Sequence, residues 1–481
     1  MQLIIKMSGL IGFFFLSAVA YAQSNYIGSG ICLDFPEEPD NYVDLGDVYN
    51  DLDFPLTFEA WVYPHTKASG NFYGLFSSDA SGTGNYYGLW IRINEDDHVE
   101  LEIGSGAGAG TSHRRGLRTI NTIPFETWTH VAIVATSATD MTFYFNGVEQ
   151  SSVSTGGTAG TTSILHNGNH AFIGRNINVH QNDQTFGQMD EIRLWDTERT
   201  AEEIRSHMCS KLTGGEAGLL GYWIADESFT ATEVLDMAGS ADGTIVGSVD
   251  RILSAAPLGN ESYYLFSDVW GGVSLSIGSS GGDLFEVTEV GSDVYGIFIY
   301  RVDGEPYADA GLLPHPAYYF GVFPLTTSTP EFGVRYNYSF DNGVVSALNE
   351  SSSDWSVHDD GADESWVTEG PELDTTLNQL SNTGNGRQEY IFGVSSPKNA
   401  VSDMVIPLKG LWPNPASEKL HFNTVTGNGM VRIFNMSGEQ MYVQSFQQAI
   451  DEVPVTGLAS GQYVLLIDAD GKTSGALFVK E

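Results

Sequence analysis

The clearest pattern of hydrophobic and polar positions lies between residues 187 and 208, where a period of two gives way to a helical period. The alternation predicts a strand with Asp190, Ile192 and Leu194 on one face and Glu191, Arg193 and Trp195 on the other. Thr200 and Glu203 then have the spacing of a capping box at a helix start. The apolar stripe of this helix consists of Ala201, Ile204 and Met208. It is the clearest helix in the chain.

Short predicted strands separated by turns fill the rest of the first half of the chain. The sharpest turn is Asn146-Gly147, which has the sequence of a type I′ hairpin, because both central residues of that turn need positive φ. Apolar residues make up 41% of the chain and aromatic residues 12%. We therefore expect an all-β protein built from antiparallel sandwiches. A length of 481 residues indicates about two to four domains.

The chain is strongly acidic, with a formal net charge of −40 from 61 acidic and 21 basic residues. A large negative field repels phosphate backbones, so nucleic acid is not expected as a partner. The charge is suited to keeping a secreted protein soluble. Carboxylates are also the hard oxygen ligands that calcium prefers, so both interpretations hold together.

The first 22 residues are predicted to be a signal peptide. Lys6 precedes an apolar run over residues 10–19, and Ala20-Tyr21-Ala22 has the small-x-small pattern of a cleavage site. The mature chain is expected to start at Gln23. No later segment has the roughly 18 apolar residues of a membrane helix, so no transmembrane segment is expected.

Two cysteines occur, Cys32 and Cys209. Export places both in an oxidising compartment, and we predict that they form a disulfide, which would remove a few kcal/mol of unfolded-chain entropy. The alternative is a pair of free buried thiols.

Segments throughout the first region resemble LamG-type, concanavalin A-like jelly rolls. They are residues 33–35, 42–46, 56–62, 128–132, 143–148, 173–176 and 187–207, and two later segments, 221–223 and 236–243, resemble that family's closing strand and Asp/Gly-rich turn. The resemblance implies a LamG-like jelly roll over residues 23–252.

The resemblance also implies a structural calcium ion that joins an early strand to a late strand in related jelly rolls. Asp190 matches the late position, and Asp34 lies at the early one. The alternative is an Asp190 carboxylate that is satisfied by backbone N–H groups or by Arg193.

Residues 259–396 are predicted to form a second β-sandwich. Segments 299–303 and 319–323 resemble a module that precedes sorting domains in secreted Bacteroidetes proteins. No chemistry follows from that resemblance, and we expect a spacer or a weak binding domain.

After a predicted polar linker over residues 397–404, residues 405–481 resemble a type A C-terminal sorting domain of the type IX secretion system. The resemblance is carried by residues 411–416, 431–438, 458–467 and 476–480. It implies a route through the periplasm, recognition by the secretion machinery at the outer membrane, and a mature protein that is released or attached to the cell surface.

The most tempting catalytic pattern is formed by Glu95, Asp97 and Glu100, since paired carboxylates are what glycoside hydrolysis needs. Residues 94–97 are turn formers between two apolar strands, 89–93 and 99–103, so we expect the acids of this turn to point into water at a hairpin tip, whereas a catalytic pair must face one another in a groove. No GxSxG elbow, HExxH helix or phosphate-binding loop occurs. We therefore predict no catalytic residues.

Candidate ligand-binding residues are aromatic residues and one arginine. Tyrosine offers an apolar face with a polar tip, and an arginine pair can hold a carboxylate or sulfate. The candidates are Tyr73, Tyr86, Tyr87 and Arg114, with the turn 166–170 expected to flank the same end. Trp61, Trp128 and Trp195 are expected in the core.

Together these patterns predict a secreted or cell-surface protein that recognises a carbohydrate or an extracellular protein through its LamG-like domain. Calcium and the disulfide are expected to stabilise that domain. The alternatives are a glycan-active hydrolase or lyase on the same fold, and a structural adhesin.

Overall fold

The computed structural model describes residues 28–481 apart from residues 38–39, 67–70, 80–83, 158–159, 177–184, 307–309, 347–348, 361, 363–364, 396–404, 410, 436–438 and 470–471. The predicted signal peptide and linker therefore lie outside the described residues.

The first sandwich is made of the strands β1 to β17 and one α-helix, α1 (Ala201–Met208). The strands are β1 (Ile31–Phe35), β2 (Tyr42–Gly46), β3 (Leu56–Pro64), β4 (Tyr73–Ser77), β5 (Leu89–Ile93), β6 (Val99–Gly104), β7 (Arg114–Thr119), β8 (Thr129–Ser137), β9 (Asp140–Phe145), β10 (Val148–Gln150), β11 (Ser152–Gly156), β12 (Ala171–Ile173), β13 (Gly187–Trp195), β14 (Leu219–Trp223), β15 (Glu233–Val234), β16 (Gly243–Val246) and β17 (Asp250–Leu253). A 3₁₀ turn, Thr111–His113, precedes β7.

Two antiparallel sheets enclose the core of this sandwich. The eight-stranded sheet has the order β10-β9-β8-β3-β13-β1-β17, with β14 also paired to β13, and the nine-stranded sheet has the order β11-β7-β6-β5-β4-β12-β2-β16-β15. Alternate residues of both sheets point inward and form one apolar cluster, which includes Phe58, Ile91 and Leu101. The predicted Asn146-Gly147 hairpin joins β9 to β10, and both residues have positive φ.

The predicted alternation along β13 is wrong at its start, because the strand contains a bulge. Asp190 pairs with Trp61 and Arg193 with Glu59, so β13 has one extra residue between these pairs, and Glu191 has a φ of 50°. The bulge places Asp190 on the same side as Arg193 and Trp195, whereas Ile192 faces the core.

Helix α1 begins as the sequence predicts. The Glu203 backbone N–H donates to Thr200 Oγ1 at 3.2 Å, and the Thr200 N–H donates to the Glu203 carboxylate at 2.7 Å. Ile204 and Met208 are buried on the predicted apolar stripe.

The second sandwich contains a six-stranded sheet, β18-β21-β22-β28-β24-β25, and a five-stranded sheet, β19-β20-β23-β27-β26. Its strands are β18 (Glu261–Phe266), β19 (Leu275–Gly278), β20 (Leu284–Thr288), β21 (Val294–Val302), β22 (Tyr319–Thr326), β23 (Phe332–Asn337), β24 (Ser353–His358), β25 (Val367–Thr368), β26 (Glu372–Asp374), β27 (Gln379–Gly384) and β28 (Gln388–Val394). Two 3₁₀ turns, Phe340–Asn342 and Glu350–Ser352, precede β24.

The second sandwich packs against the first. Trp61 and Trp128, on the outer side of the eight-stranded sheet, belong to one buried cluster with Phe298 and Tyr300 of β21. The ring centroids of Trp61 and Phe323 are 5.7 Å apart. Burial of Trp61, Trp128 and Trp195 is confirmed, but the first two fill the layer between the sandwiches. Residues 28–394 therefore belong to one compact unit.

The C-terminal unit is a small sandwich of its own. A five-stranded sheet, β29-β35-β34-β31-β32, faces a two-stranded sheet, β30-β33, across an apolar core. The strands are β29 (Val405–Pro407), β30 (Lys419–Thr426), β31 (Gly429–Asn435), β32 (Gln440–Phe446), β33 (Ala449–Pro454), β34 (Gly461–Ala469) and β35 (Lys472–Lys480). None of the helices in the described part of the chain has the length and apolar character needed to cross a membrane.

Candidate functional site

The outer face of the nine-stranded sheet carries a cluster of charged and aromatic side chains. In β5, Leu89, Ile91 and Ile93 point into the core, so the intervening Trp90 and Arg92 point outward. The same alternation in β6 turns Glu100 and Glu102 outward, and Trp90 pairs with Glu102 and Arg92 with Glu100 in the ladder. We call Trp90, Arg92, Glu100, Glu102 and Arg114 the outer-face cluster.

Hydrogen bonds and ion pairs connect the members of the outer-face cluster. Trp90 Nε1 donates to Glu102 Oε2 at 3.1 Å, and Arg92 Nη2 donates to the same oxygen at 3.4 Å. Arg92 Nε donates to Glu100 Oε1. Arg114 Nε lies 3.4 Å from Glu102 Oε1. These contacts fix both carboxylates and both guanidinium groups on the face of the sheet.

Burial raises the pKa of the Glu102 carboxyl group. The residue is 0% exposed, and burial together with the charge of Glu100 raises the pKa of Glu102 to about 7, although Arg92 and Arg114 act in the opposite direction. Half-buried rings lie beside the cluster. The Arg92 guanidinium is 4.2 Å from the centroid of the Phe72 ring, and the Tyr86 and Trp90 centroids are 5.5 Å apart.

Three of the four predicted ligand-binding residues lie near one end of this face. Tyr86 and Tyr87 are half-buried and lead into β5, and Arg114 begins β7. The predicted flanking turn is also there, because Gly88 N–H donates to the carbonyl oxygen of Leu165 at 2.8 Å. The structure therefore brings Tyr86, Tyr87, Arg114 and this turn together.

Tyr73 does not belong to this end of the sheet. It is 1% exposed, packs in the core of the first sandwich, and its hydroxyl donates to the backbone carbonyl of His65. Tyr73 pairs with Ile93, at the opposite end of β5 from Tyr86. Its inward position follows from the strand alternation, which makes a ligand contact by its ring impossible without opening the core.

The acidic hairpin has two different parts. Glu95 and Asp96 are exposed at the turn as expected, and Asp97 has a φ of 70°. Glu100, in contrast, lies in β6 and is buried on the sheet with Arg92. The sequence interpretation also missed Arg92 and Glu102, although the alternation in residues 89–93 and 99–104 was a signal that could have found them.

The predicted calcium ligands Asp190 and Asp34 have protein partners in the structure. Asp190 is fully buried, and its oxygens accept from Ser254 Oγ at 2.6 Å and from the Glu191 N–H at 2.8 Å. Burial and the charges of Glu191 and Asp226 raise the pKa of Asp190 well above its ordinary value. Asp34 faces His65 instead, at 3.7 Å. No group of three or more His, Cys, Asp or Glu among the described residues could hold a metal ion.

A second set of buried charges lies on the outer side of the eight-stranded sheet. Arg193 Nη2 donates to Glu191 Oε2 at 2.6 Å and to the carbonyl oxygen of Ser210 at 2.8 Å, and Tyr222 donates to the same carboxylate oxygen at 2.6 Å. These residues are at most 1% exposed, apart from Ser210. They tie β13 to the segment after α1, which is a structural role.

The cysteines are free thiols in the structure, in place of the predicted disulfide. Both are fully buried in the layer between the sandwiches. The Cys32 thiol lies 3.9 Å from Gln188 Oε1, and its pKa is raised by burial and by Asp190, whereas the charges that act on Cys209 are those of Arg387 and Arg193. The two thiols thus face different surroundings.

The second sandwich has a polar groove of about 420 Å³ on its five-stranded sheet. Arg335 lies there and pairs with Glu289 at 3.0 Å, with both side chains exposed. The groove lacks the buried carboxylate and arginine pairs of the outer-face cluster.

Comparison with known proteins assigns two regions of the chain. Residues 37–205 match the family described as the concanavalin A-like lectin/glucanases superfamily, and residues 410–481 match the secretion system C-terminal sorting domain. None of the curated proteins matches this chain.

Several solved structures share limited similarity with the chain. A candidate carbohydrate-binding protein from Bacteroides ovatus has 19% identity and a TM-score of 0.36, over 48% of this chain and 62% of the other, so the match spans less than two thirds of that relative. A SAP-like pentraxin from Limulus polyphemus has 15% identity and a TM-score of 0.26, over 37% and 81%. The CBM40 of a Ruminococcus gnavus IT-sialidase, bound to α2,3-sialyllactose, has 11% identity and a TM-score of 0.23, over 38% and 94%.

The two matched families agree with the sandwiches described above, one at each end of the chain. The sorting domain indicates that the protein is secreted or exported to the cell surface. The chain therefore carries a LamG-like domain of the concanavalin A-like lectin/glucanases superfamily and a type IX secretion C-terminal sorting domain.

Proposed function

We propose that this exported protein binds a glycan at the end of the nine-stranded sheet where Tyr86, Tyr87 and Arg114 lie. The observation that carries the proposal is the outer-face cluster, which includes Arg114 and has Tyr86 packed against its Trp90 ring. The buried Glu102 carboxylate accepts a hydrogen bond from Trp90 and forms an ion pair with Arg114, so the Trp90 ring, the adjacent Tyr86 and Arg114 are preorganised for a ligand.

The chemistry of these residues is suited to a sugar. A tyrosine ring offers an apolar face to a pyranose and a hydroxyl to its polar edge. Arg114 offers several N–H donors, and its side chain is 25% exposed. The match of residues 37–205 to a superfamily named for lectins and glucanases supports the same ligand class.

A glycan array followed by titration calorimetry tests the proposal. We expect Tyr86→Ala to weaken binding of the best glycan about tenfold, because it removes the stacking face and uncovers Trp90. Tyr295→Ala is the matched control, since Tyr295 is 40% exposed on the second sandwich. Binding to extracellular proteins without binding to any glycan would show that the proposed ligand class is wrong.

The second candidate function is a glycan-active hydrolase or lyase. Glu100 and Glu102 share one face of one strand, and a pKa of about 7 leaves Glu102 partly protonated at neutral pH, as a general acid requires. Their ion pairs with arginines favour binding over catalysis. Assays for new reducing ends and for unsaturated products, with Glu102→Gln as the control, decide between the two functions: turnover by the wild type that Glu102→Gln lacks would favour the enzyme.

A further inference from the structure

Strand β7 is rich in arginine, although the chain as a whole is strongly acidic. Arg114, Arg115 and Arg118 lie within one strand of six residues, although the whole chain has only 21 basic residues against 61 acidic ones. Distant charges are screened over about 8 Å at physiological ionic strength, so an anion at this strand responds mainly to the arginines near it.

The strand alternation separates these arginines onto two faces. Arg118 lies opposite Glu100 in the strand ladder, and Glu100 points outward, so Arg118 is on the outer face. Arg114 is also on this face, because its guanidinium group contacts Glu102. Arg115 pairs with Ile103, a core residue, and therefore lies on the inner side of the sheet. The outer face thus has two arginines on β7 that are four residues apart.

Gly116 leaves the position between these two arginines without a side chain. A Cβ at Gly116 would collide with the carbonyl oxygen of Leu101, so the backbone packing requires glycine there. Gly116 also pairs with Glu102, in the middle of the outer-face cluster. Gly116 is itself buried, so the outer face has a position without a side chain between Arg114 and Arg118.

Arg114 and Arg118 are less fully paired than Arg92. Arg92 forms ion pairs with Glu100 and Glu102. Arg114 has one ion pair among the described residues, with Glu102, and its Nε is buried without a hydrogen-bond partner there. Arg118 has no ion pair within the described part of the chain. Among the described residues, the Arg114 Nε–H and the Arg118 guanidinium group therefore keep donors that no carboxylate accepts, and these donors are available to an anion.

We propose that Arg114 and Arg118 form an anion subsite that takes a carboxylate or sulfate group of the bound glycan. This inference rests on the proposed function and narrows its ligand to acidic glycans. Two guanidinium groups on one sheet face can bind the oxygens of one anionic group with charge-assisted hydrogen bonds.

Matched ligands and matched variants of the full-length mature protein test this subsite. The ligands are dextran sulfate against dextran, and oligogalacturonate against its methyl ester, which separate sulfate from carboxylate recognition. The variants are Arg118→Gln on the outer face and Arg115→Gln on the inner side of the same strand, which remove equal charge.

We expect the acidic member of at least one ligand pair to bind at least tenfold more tightly than its neutral partner. Arg118→Gln should weaken that binding about tenfold, and Arg115→Gln should leave it within about twofold. If Arg118→Gln does not fold, Arg118→Lys, which keeps the charge and loses the bidentate geometry, should weaken binding to an intermediate extent.

Two other outcomes would overturn the inference in distinguishable ways. Preference for the neutral ligands, or equal losses in the two variants, would exclude the anion subsite and leave glycan binding intact. No binding to any of the four ligands or to the glycan array would reject both the subsite and the proposed function.

Discussion

At the scale of single residues, Glu102 couples the stability of the first sandwich to pH. Its pKa in the folded protein is about 7, compared with about 4.5 in an unfolded chain, because it is buried beside Glu100. A raised pKa contributes stability that is fully present below about pH 4.5 and is lost as pH rises through 7. The loss reaches roughly 1–3 kcal/mol by pH 8.

Glu102→Gln should therefore flatten the dependence of unfolding free energy on pH between pH 5 and pH 8. Urea titrations at several pH values measure this slope. Glu95→Gln, at the exposed hairpin tip, is the control and should keep the wild-type slope. An unchanged slope in Glu102→Gln would mean that this carboxyl does not titrate in that range.

The Asp190 carboxylate leads to a second prediction. Its two oxygens already accept hydrogen bonds from Ser254 Oγ and from the Glu191 N–H. We expect the melting temperature to be the same in calcium and in a chelator. Ser254→Ala removes a donor from a buried carboxylate and should cost about 1–3 kcal/mol. A melting temperature that rises with calcium in the wild type and not in Asp190→Ala would contradict this expectation and support a calcium site at Asp190.

At the scale of elements, helix α1 depends on its capping box. Thr200→Ala removes an acceptor for the Glu203 N–H and should lower the free energy of unfolding by about 1 kcal/mol. Ser206→Ala, on the same helix, leaves the box intact and serves as the control. Equal destabilisation by both variants would contradict the assigned role of Thr200. Thermal denaturation with matched protein concentrations measures the difference.

The capping box was predictable from sequence because it depends on residues three positions apart. The bulge in β13 was not, because it depends on pairing with β3, a strand about 130 residues away. That bulge moves Asp190 to the face shared with Arg193. Because the side-chain period of a strand is two, a single extra residue is enough to change which face of the sheet a side chain is on.

At the scale of the whole molecule, the second sandwich covers an apolar surface of the first. A chain that ends at residue 258 would expose Trp61, Trp128 and Cys209, and burial of each large apolar side chain is worth roughly 1.5–3 kcal/mol. We expect this chain to aggregate or to melt at least 10 °C below the control, which is roughly the shift for a loss of several kcal/mol.

The control is a chain that ends at residue 394, because it keeps the first compact unit whole. Scanning calorimetry and size-exclusion chromatography compare the two chains. A soluble shorter chain with the same melting temperature as the control would show that the second sandwich does not stabilise the first.

The sequence by itself determined the all-β architecture, the LamG-like and sorting domains, the Asn146-Gly147 hairpin and the capped helix, because each depends on local periodicity or on motifs of a few residues. It also indicated Tyr86, Tyr87 and Arg114 as candidate ligand-binding residues. Only the tertiary structure decided that Tyr73 is a core residue, that Glu100 and Glu102 meet Arg92 on one face, and that the two sandwiches share a buried layer. These features depend on which face of a strand is covered and by what, and contacts between distant segments determine that.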